Sequence, residues 1–165
     1  MRIRLARDED WPRTWPLWHR VVAAGDTYAW LPDTDEPTAR TLWMLPAPAV
    51  VYVAESDAGE VVGTAVLKPN QQGLGDHVAN ASFMVDPAHA GRGIGRRLGE
   101  HVLAEAAERG YRAMQFNSVV ETNTAAVRLW TSLGFWTLAT VPAAFRHATL
   151  GLVGVHVMYR ELPSG

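Results

Sequence analysis

Two hydrophobic periods alternate along the chain, one near two residues and one between three and four, and they mark its elements before any chemistry is considered. Met1–Ala6 sets Ile3 and Leu5 between arginines, the pattern of a short half-buried strand. Asp8-Glu-Asp10 then places acids where a helix start favours them, predicting a helix through roughly Ala23, with Pro12 tolerated near its beginning. Pro16 is expected to kink that helix or delay its start. Gly25–Pro37 reads as a polar, proline-containing loop, followed by a short helix near Thr38–Leu45. Val50–Ala54 and Val61–Lys68 are β-rich runs joined by Asp57-Ala-Gly59, a good hairpin turn. After a Pro69–Gly75 loop, Val78–Val85 reads as a strand. From Ile94 onward Leu98, Val102 and Ala106 recur at helical spacing, Leu103 widens the stripe, and Gly110 stops it. Ala113–Val119 is a strand, and Asn123–Leu133 a helix capped by Asn123 or Thr122 and stopped by Gly134. Phe135–Thr140 and Val153–Arg160 are closing strands, separated by a loop carrying Pro142 and His147.

The resulting order, β-α-α-β-β-β-α-β-α-β-β, is that of an α/β (α+β) domain with a mixed sheet. The strands flanking the Arg96–Arg109 helix should be parallel neighbours, because a helical crossover joins them. No repeat, low-complexity tract or linker divides residues 1–165, so a single domain is expected.

Composition narrows the function. A net charge of −2 argues against a nucleic-acid binder. The chain has no cysteine, hence no disulfide, thiol nucleophile or thiolate metal site, and its scattered histidines show no metal-ligand spacing, so no metal is expected. Met1-Arg-Ile-Arg-Leu-Ala-Arg lacks the apolar block of a signal peptide, and no run approaches membrane-spanning length; a cytoplasmic protein without membrane contact is expected. One lysine, Lys68, accompanies fourteen arginines, which reads as base composition.

The most informative stretch is Asp86-Pro-Ala-His-Ala-Gly-Arg-Gly-Ile-Gly-Arg-Arg-Leu-Gly-Glu100. Gly91, Gly93 and Gly95 alternate with Arg92 and lead into Arg96 and Arg97, between a strand and a helix. Glycines allow a tight turn with successive N–H groups aimed at a ligand, and the helix start adds unpaired N–H groups and partial positive charge. These are the makings of a phosphate cradle. The dinucleotide fingerprint fails, since its third glycine would fall on Arg96 or Leu98, and a Walker loop fails for want of a nearby lysine.

Val85–Leu98 resembles the acyl-coenzyme A loop of the GCN5-related N-acetyltransferases, and the strand order resembles their fold. A second stretch, Asn123-Thr-Ala-Ala126-Val-Arg-Leu129-Trp130-Thr-Ser-Leu133-Gly134-Phe135, is similar to that family's Asn-x-x-Ala-x-x-Leu-Tyr-x-x-x-Gly-Phe. The resemblance implies a sheet of about six to seven strands splayed between strands 4 and 5, with about four helices. It implies acetyl-CoA as cosubstrate, its pyrophosphate on the backbone of Arg92, Gly93, Ile94, Gly95 and Arg96, with charge from Arg92, Arg96 and Arg97. Pantetheine would enter the splay and pair with backbone at Met84 and Val85, passing Asn123, Ala126 and Trp130. Two positions depart from the pattern: Ala90 replaces a usual Gln or Arg, and Trp130 stands where many relatives carry the tyrosine that protonates the departing thiolate. An indole N–H cannot take that role.

Thioester aminolysis also needs an uncharged amine held beside the carbonyl. Asn80 and Asn117 are polar residues within strands, which is unusual unless they are paired or functional. Together with Phe116-Asn-Ser-Val-Val-Glu-Thr-Asn123 they resemble the fungal N-acetyltransferases of azetidine-2-carboxylate and proline-like imino acids. That resemblance implies acceptor binding and catalysis at Asn80 and Asn117, through an ordered water since amides are not bases. His77 and Glu121 are fallback bases. The loop between the first two helices commonly shapes the acceptor pocket in the family, which points to Asp26, Thr27 and Tyr28. The expected acceptor is a small-molecule amine, first an amino acid or similar compound; a protein N-terminus, an antibiotic, another amine, or a sensor without turnover remain alternatives. A homodimer is expected from the apolar terminal strand Val153–Tyr159.

Overall fold

The computed structural model describes residues 1–163. Its strands are β1 (Arg2–Leu5), β2 (Val50–Glu55), β3 (Val61–Pro69), β4 (Val78–Val85), β5 (Ala113–Val120), β6 (Trp136–His147) and β7 (Gly151–Glu161). Its helices are α1 (Trp11–Ala23), α2 (Glu36–Trp43), α3 (Ile94–Glu108) and α4 (Thr124–Ser132). The strands form one seven-stranded sheet in the order β1-β2-β3-β4-β5-β7-β6. β4 and β5, joined through α3, are parallel, and their register holds only at Val78↔Ala113 and Ala79↔Met114. Beyond Ala79 the strands part. The sheet is therefore mixed and open in its centre, as the sequence resemblance implied.

Side-chain alternation along β4 divides the core. Ala79 and Ala81 face α3 and α4, where Leu98, Val102, Met114, Phe116 and Trp130 pack. Met84 faces the other way, against Leu17, Trp18, Trp43 and Val53 beneath α1 and α2. Trp11, Trp15 and Trp18 lie along α1 at helical spacing, and Trp18 stacks on Trp30 with ring centroids 5.3 Å apart. This aromatic packing ties the α1–α2 loop to the helices.

Two expectations change. α1 runs unbroken through Pro16, with Leu17, Trp18 and Val22 buried on one face. The ring removes one N–H, and burial of that face outweighs the lost bond. The closing strand is longer than its alternation suggested: β6 passes through Pro142 to His147, with an irregularity between Val141 and Phe145 where Ala143 adopts φ 53°. β6 lies at the sheet's outer edge, where a proline costs no ladder bond on the solvent side.

β1 and α1 are fastened by a buried carboxylate. Asp10 is 1% exposed and accepts from Arg4 at 2.7 and 2.9 Å, from the Arg7 N–H at 2.8 Å, and from Arg13. The Arg4 guanidinium holds the Asp10 carboxyl well below the usual carboxylate range. A depressed folded-state pKa contributes stability above the unfolded value, about 3.9, and loses it as pH falls below that value. Asp10→Asn is expected to cost about 2 kcal/mol at neutral pH, because it removes the buried charge partner of Arg4 and Arg13, which keep Glu55. Urea unfolding from pH 7 to 3 checks this: the gap between wild type and variant should narrow only below about pH 4.

Candidate active site

The glycine segment forms a cradle of unpaired amides. Gly91 and Gly93 sit at φ 76° and 74°, the left-handed region that side chains avoid. The first N–H with a main-chain partner in α3 is that of Arg97, which donates to the Gly93 carbonyl at 3.1 Å. Among the described residues, the N–H groups of Gly91 through Arg96 make no main-chain bond. Built Cβ atoms at Gly91 and Gly93 would meet nothing within 4 Å, so the concavity is open. At Gly95 a Cβ would come within 3.2 Å of Leu129, so glycine there lets α4 approach α3. Asp86, 7% exposed, anchors the approach to the cradle: it caps the following turn through the Ala88 N–H and accepts from Arg20 at 2.6 Å.

The arginines divide. Arg96 donates to Ser132 at 2.7 Å and lies 3.5 Å from Glu100, and Arg97 donates to the Met1 carbonyl at 3.0 Å. Arg92 is exposed and, among the described residues, makes no hydrogen bond or ion pair. It is the one of the three whose charge is uncommitted.

The splay leaves one edge of β4 free, and alternation decides which residues line it. The Val78 carbonyl and the Asp86 N–H bond toward β3, whereas the His77 carbonyl accepts from Arg112 on the β5 side. Odd-numbered residues of β4 therefore turn their main-chain groups to the gap. Val85 does so, and so do Ala81 and Phe83. Met84 is corrected: its amide and carbonyl face β3 opposite Thr64, and its side chain is buried at 2%.

Beside the gap opens a cleft of about 360 Å³, lined on the α1–α2 side by Thr27, Tyr28 and Trp30, and from the strands by Asn80, Ser82 and Asn117. Asn123, Ala126 and Trp130 close its far wall. Asn80 donates to the Gln115 carbonyl at 2.9 Å, taking the bond that strand separation denies that carbonyl. Between Phe116 and Val119 the β5–β7 register shifts, leaving Asn117 and Ser118 exposed at a bulge. Asn117 accepts from Gln115 at 2.8 Å and donates to Asn70 at 2.7 Å. Asn80 and Asn117 thus belong to one amide network, joined through Gln115. Asn70 completes it and was not a sequence candidate, because it sits in a loop whose course composition does not reveal.

Tyr28 crosses to the strand edge: its hydroxyl donates to the Phe83 carbonyl at 2.8 Å and accepts the Phe83 N–H at 3.0 Å. Burial pushes its phenol well above the ordinary tyrosine range, so it stays protonated through neutral pH. Trp130 is 7% exposed, its ring 4.7 Å from Phe83 and 4.9 Å from Phe116, a packing position at the cleft wall. Asn123 caps α4 through the Ala126 N–H at 3.1 Å while lining the cleft.

A second hollow of about 290 Å³ adjoins Asn123 and is walled by Asp26, Thr122, Thr124 and His147. Thr27 donates to Asp26 at 2.9 Å, and the Ala148 N–H donates to the Gly25 carbonyl, closing the β6–β7 turn onto the α1–α2 loop. The fallback bases do not assemble with these groups. Glu121 accepts the Gly154 N–H at 2.6 Å, which ties its carboxylate to β7, and His77 is exposed and does not line the cleft. Among the described residues no group of three or more His, Asp or Glu is placed to hold a metal ion, and no helix is long and apolar enough to cross a membrane.

Known proteins share this geometry. A GCN5-related N-acetyltransferase from Kribbella flavida is 50% identical, with a TM-score of 0.93 over 98% of this chain and 97% of its own. The structure of yncA from Salmonella typhimurium, which holds its cofactor acetyl-CoA, is 26% identical, with a TM-score of 0.83 over 100% of this chain and 95% of its own. N-acetyltransferase aca1 of Schizosaccharomyces pombe is 32% identical over 120 residues, which is 72% of this chain and 57% of that protein. It is a general fungal relative, and an azetidine- or proline-type relationship does not follow from it. Residues 9–135, from just before α1 to the residue before β6, match the family profile itself. With cradle, splay and α4 inside that span, the chain belongs to the acetyltransferase (GNAT) family.

Proposed function

We propose that the protein transfers the acetyl group of acetyl-CoA to the amine of a small acceptor, an amino acid or a compound like one. The observation that carries the reading is the continuity of three features: six consecutive amides without a main-chain partner, from Gly91 to Arg96, a β4 edge parted from β5 and bridged by Tyr28 at Phe83, and the cleft beside that edge. Acetyl-CoA fits them and supplies the activated thioester. The amides of Gly91–Arg96 would hold its diphosphate and Arg92 would add charge, without any reorganisation of the loop. Main-chain groups of Ala81 and Val85 offer hydrogen bonds of a missing strand to the pantetheine amides, those of Phe83 between them being held by Tyr28.

On the acceptor side, Asn80, Asn117 and Ser82 orient the amine, and Tyr28 and Trp30 exclude water from one flank. Asp26 and Thr27 stand at the outer rim. No side chain facing the cleft is a strong base, so the proton lost from nitrogen leaves through water ordered on the amides. The thiolate leaves unaided by Trp130, which is acceptable because a thiol pKa is about 8.5. The single Tyr28 proton is spent on the Phe83 carbonyl and is not aimed at a leaving group.

The resemblance of the asparagine pattern to that of fungal azetidine-2-carboxylate and proline-type enzymes supports an imino- or amino-acid acceptor. Free-thiol release from acetyl-CoA across an amine panel, with the acetylated product identified by mass spectrometry, tests the reading. Cofactor binding with no amine-dependent release would instead favour a sensor. Val153–Tyr159, the expected dimer strand, lies within β7 and is paired on both sides by β5 and β6; the proposed homodimer surface is therefore the outer strand β6, where Trp136, Leu138 and Val141 are 46%, 54% and 45% exposed along an open edge. Light scattering of the intact chain reads its mass.

A further inference from the structure

The acceptor cleft is lined by hydroxyls, amides, apolar groups and aromatic rings, with no charged side chain. A small amine bound there finds hydrogen bonds but no counter-ion in the lining itself. One cation stands beside it. Lys68, the chain's one lysine, lies directly opposite Asn80 in the β3–β4 register. Opposed residues of antiparallel strands place their side chains on the same face, with Cβ atoms roughly 4.5–5.5 Å apart. The face is the one that carries Asn80 and Ser82 into the cleft. Two residues along, Asn70 receives the Asn117 hydrogen bond at 2.7 Å. Lys68 is thus flanked by Asn80 across the ladder and by Asn70 just past the end of its own strand.

Its charge is uncommitted. Lys68 is half-buried and, among the described residues, has no hydrogen bond or ion pair. Arginines near α1 and α2 are occupied: Arg4 and Arg13 on Asp10 and Glu55, Arg20 on Asp86, Arg40 on Asp8. Lysine is depleted in strands, and a half-buried ammonium without a protein partner is open to pair with an anionic ligand. Its flexible four-carbon stem lets the ammonium swing from the β3 side toward the cleft floor.

We infer that Lys68 receives the carboxylate of the acceptor, so that the substrate class is the small α-amino or imino acid with its carboxyl group free. The inference rests on the transferase reading and deepens it. The amine is held by the amide network of Asn80 and Asn117, and the carboxylate lies toward β3 on the Lys68 ammonium. The lysine that composition alone made look incidental becomes the residue that sets specificity.

The test compares proline with prolinamide as acceptors, by thiol release, in wild type, Lys68→Met and Lys68→Arg. Prolinamide has the less basic nitrogen and so more free amine, which biases the comparison against the expected result. Wild type should nevertheless prefer proline by at least about 10-fold in kcat/KM, the scale of one charge-assisted contact. Lys68→Met should erase that preference through a higher KM for proline, whereas Lys68→Arg should keep part of it. Acetyl-CoA affinity by calorimetry and the thermal midpoint should stay at wild-type values in both variants. With acetyl-CoA bound, equal or better use of prolinamide, an equal loss on both acceptors in Lys68→Met, or turnover of neither acceptor overturns the assignment of Lys68 alone. Absence of acetyl-CoA binding in the wild type overturns the transferase reading, and this inference with it.

Discussion

Gly93→Trp is expected to leave a folded protein that no longer binds acetyl-CoA. Gly93 stands just before α3 at φ 74°, a conformation costing an ordinary residue about 1–2 kcal/mol. The protein does not otherwise resist a side chain there, because an added Cβ meets nothing within 4 Å. The indole would instead fill the open concavity over the amides of Gly91–Arg96, where the diphosphate is placed. Calorimetry should show affinity reduced at least about 100-fold, while the thermal midpoint falls by no more than about 5 °C. Wild-type affinity in this variant would overturn the cradle and the function built on it. Collapse of the fold would be inconsistent with the free space around Gly93. Arg92→Ala should do less, about 3- to 10-fold, since it removes one exposed charge from a site made mainly of backbone.

Why the cradle could be read in advance, and the edge of β4 could not, is a matter of which periodicities a sequence carries. Gly91 and Gly93 announce themselves because left-handed backbone selects glycine at single positions. Helix α3 is legible from Leu98, Val102 and Ala106, which all bury on one face. The free edge of β4 depends on something else: whether odd or even residues bond toward β3, a register choice set by Asp86 meeting Val62 and Asn70 meeting Val78. No local pattern encodes that choice, so the family resemblance carries Met84 to the gap although its main-chain groups face Thr64 on β3. The splay itself came from family resemblance, since strand separation leaves no mark on apolar alternation. Arg96 and Arg97 were expected at the phosphate; that they also hold Ser132 and Met1 depends on contacts 36 and 96 residues away in sequence. β6 was cut short at Thr140 because Pro142 reads as a breaker, a rule that edge strands escape. Asn80 and Asn117 were legible as polar residues in strands, yet their joint network needed Asn70, which only the loop's folded course brings within 2.7 Å.

The network sets the other large effect. Asn117→Ala should lower kcat/KM for the acceptor about 100-fold, the scale of losing one preorganised donor at a reacting centre, while acetyl-CoA affinity stays unchanged. Asn117 is exposed at the β5 bulge, so its removal leaves the Gln115 and Asn70 amides free to hydrate and should cost stability no more than about 0.5 kcal/mol. Asn80→Ala should reduce turnover similarly but behave differently in the fold. Its amide satisfies the Gln115 carbonyl just where β4 and β5 separate, and loss of that bond should cost about 1 kcal/mol. Single-turnover rates at saturating acetyl-CoA, calorimetry and urea midpoints distinguish the two. If either variant lost cofactor affinity as fully as Gly93→Trp, the asparagines would belong to the cofactor side of the splay, and the separation of cradle from acceptor cleft would fail. If both kept wild-type turnover, the network would be only a brace for the parted strands. A turnover defect in both, with a stability defect in Asn80→Ala alone, follows only if the same amides that bridge the gap also hold the amine above it.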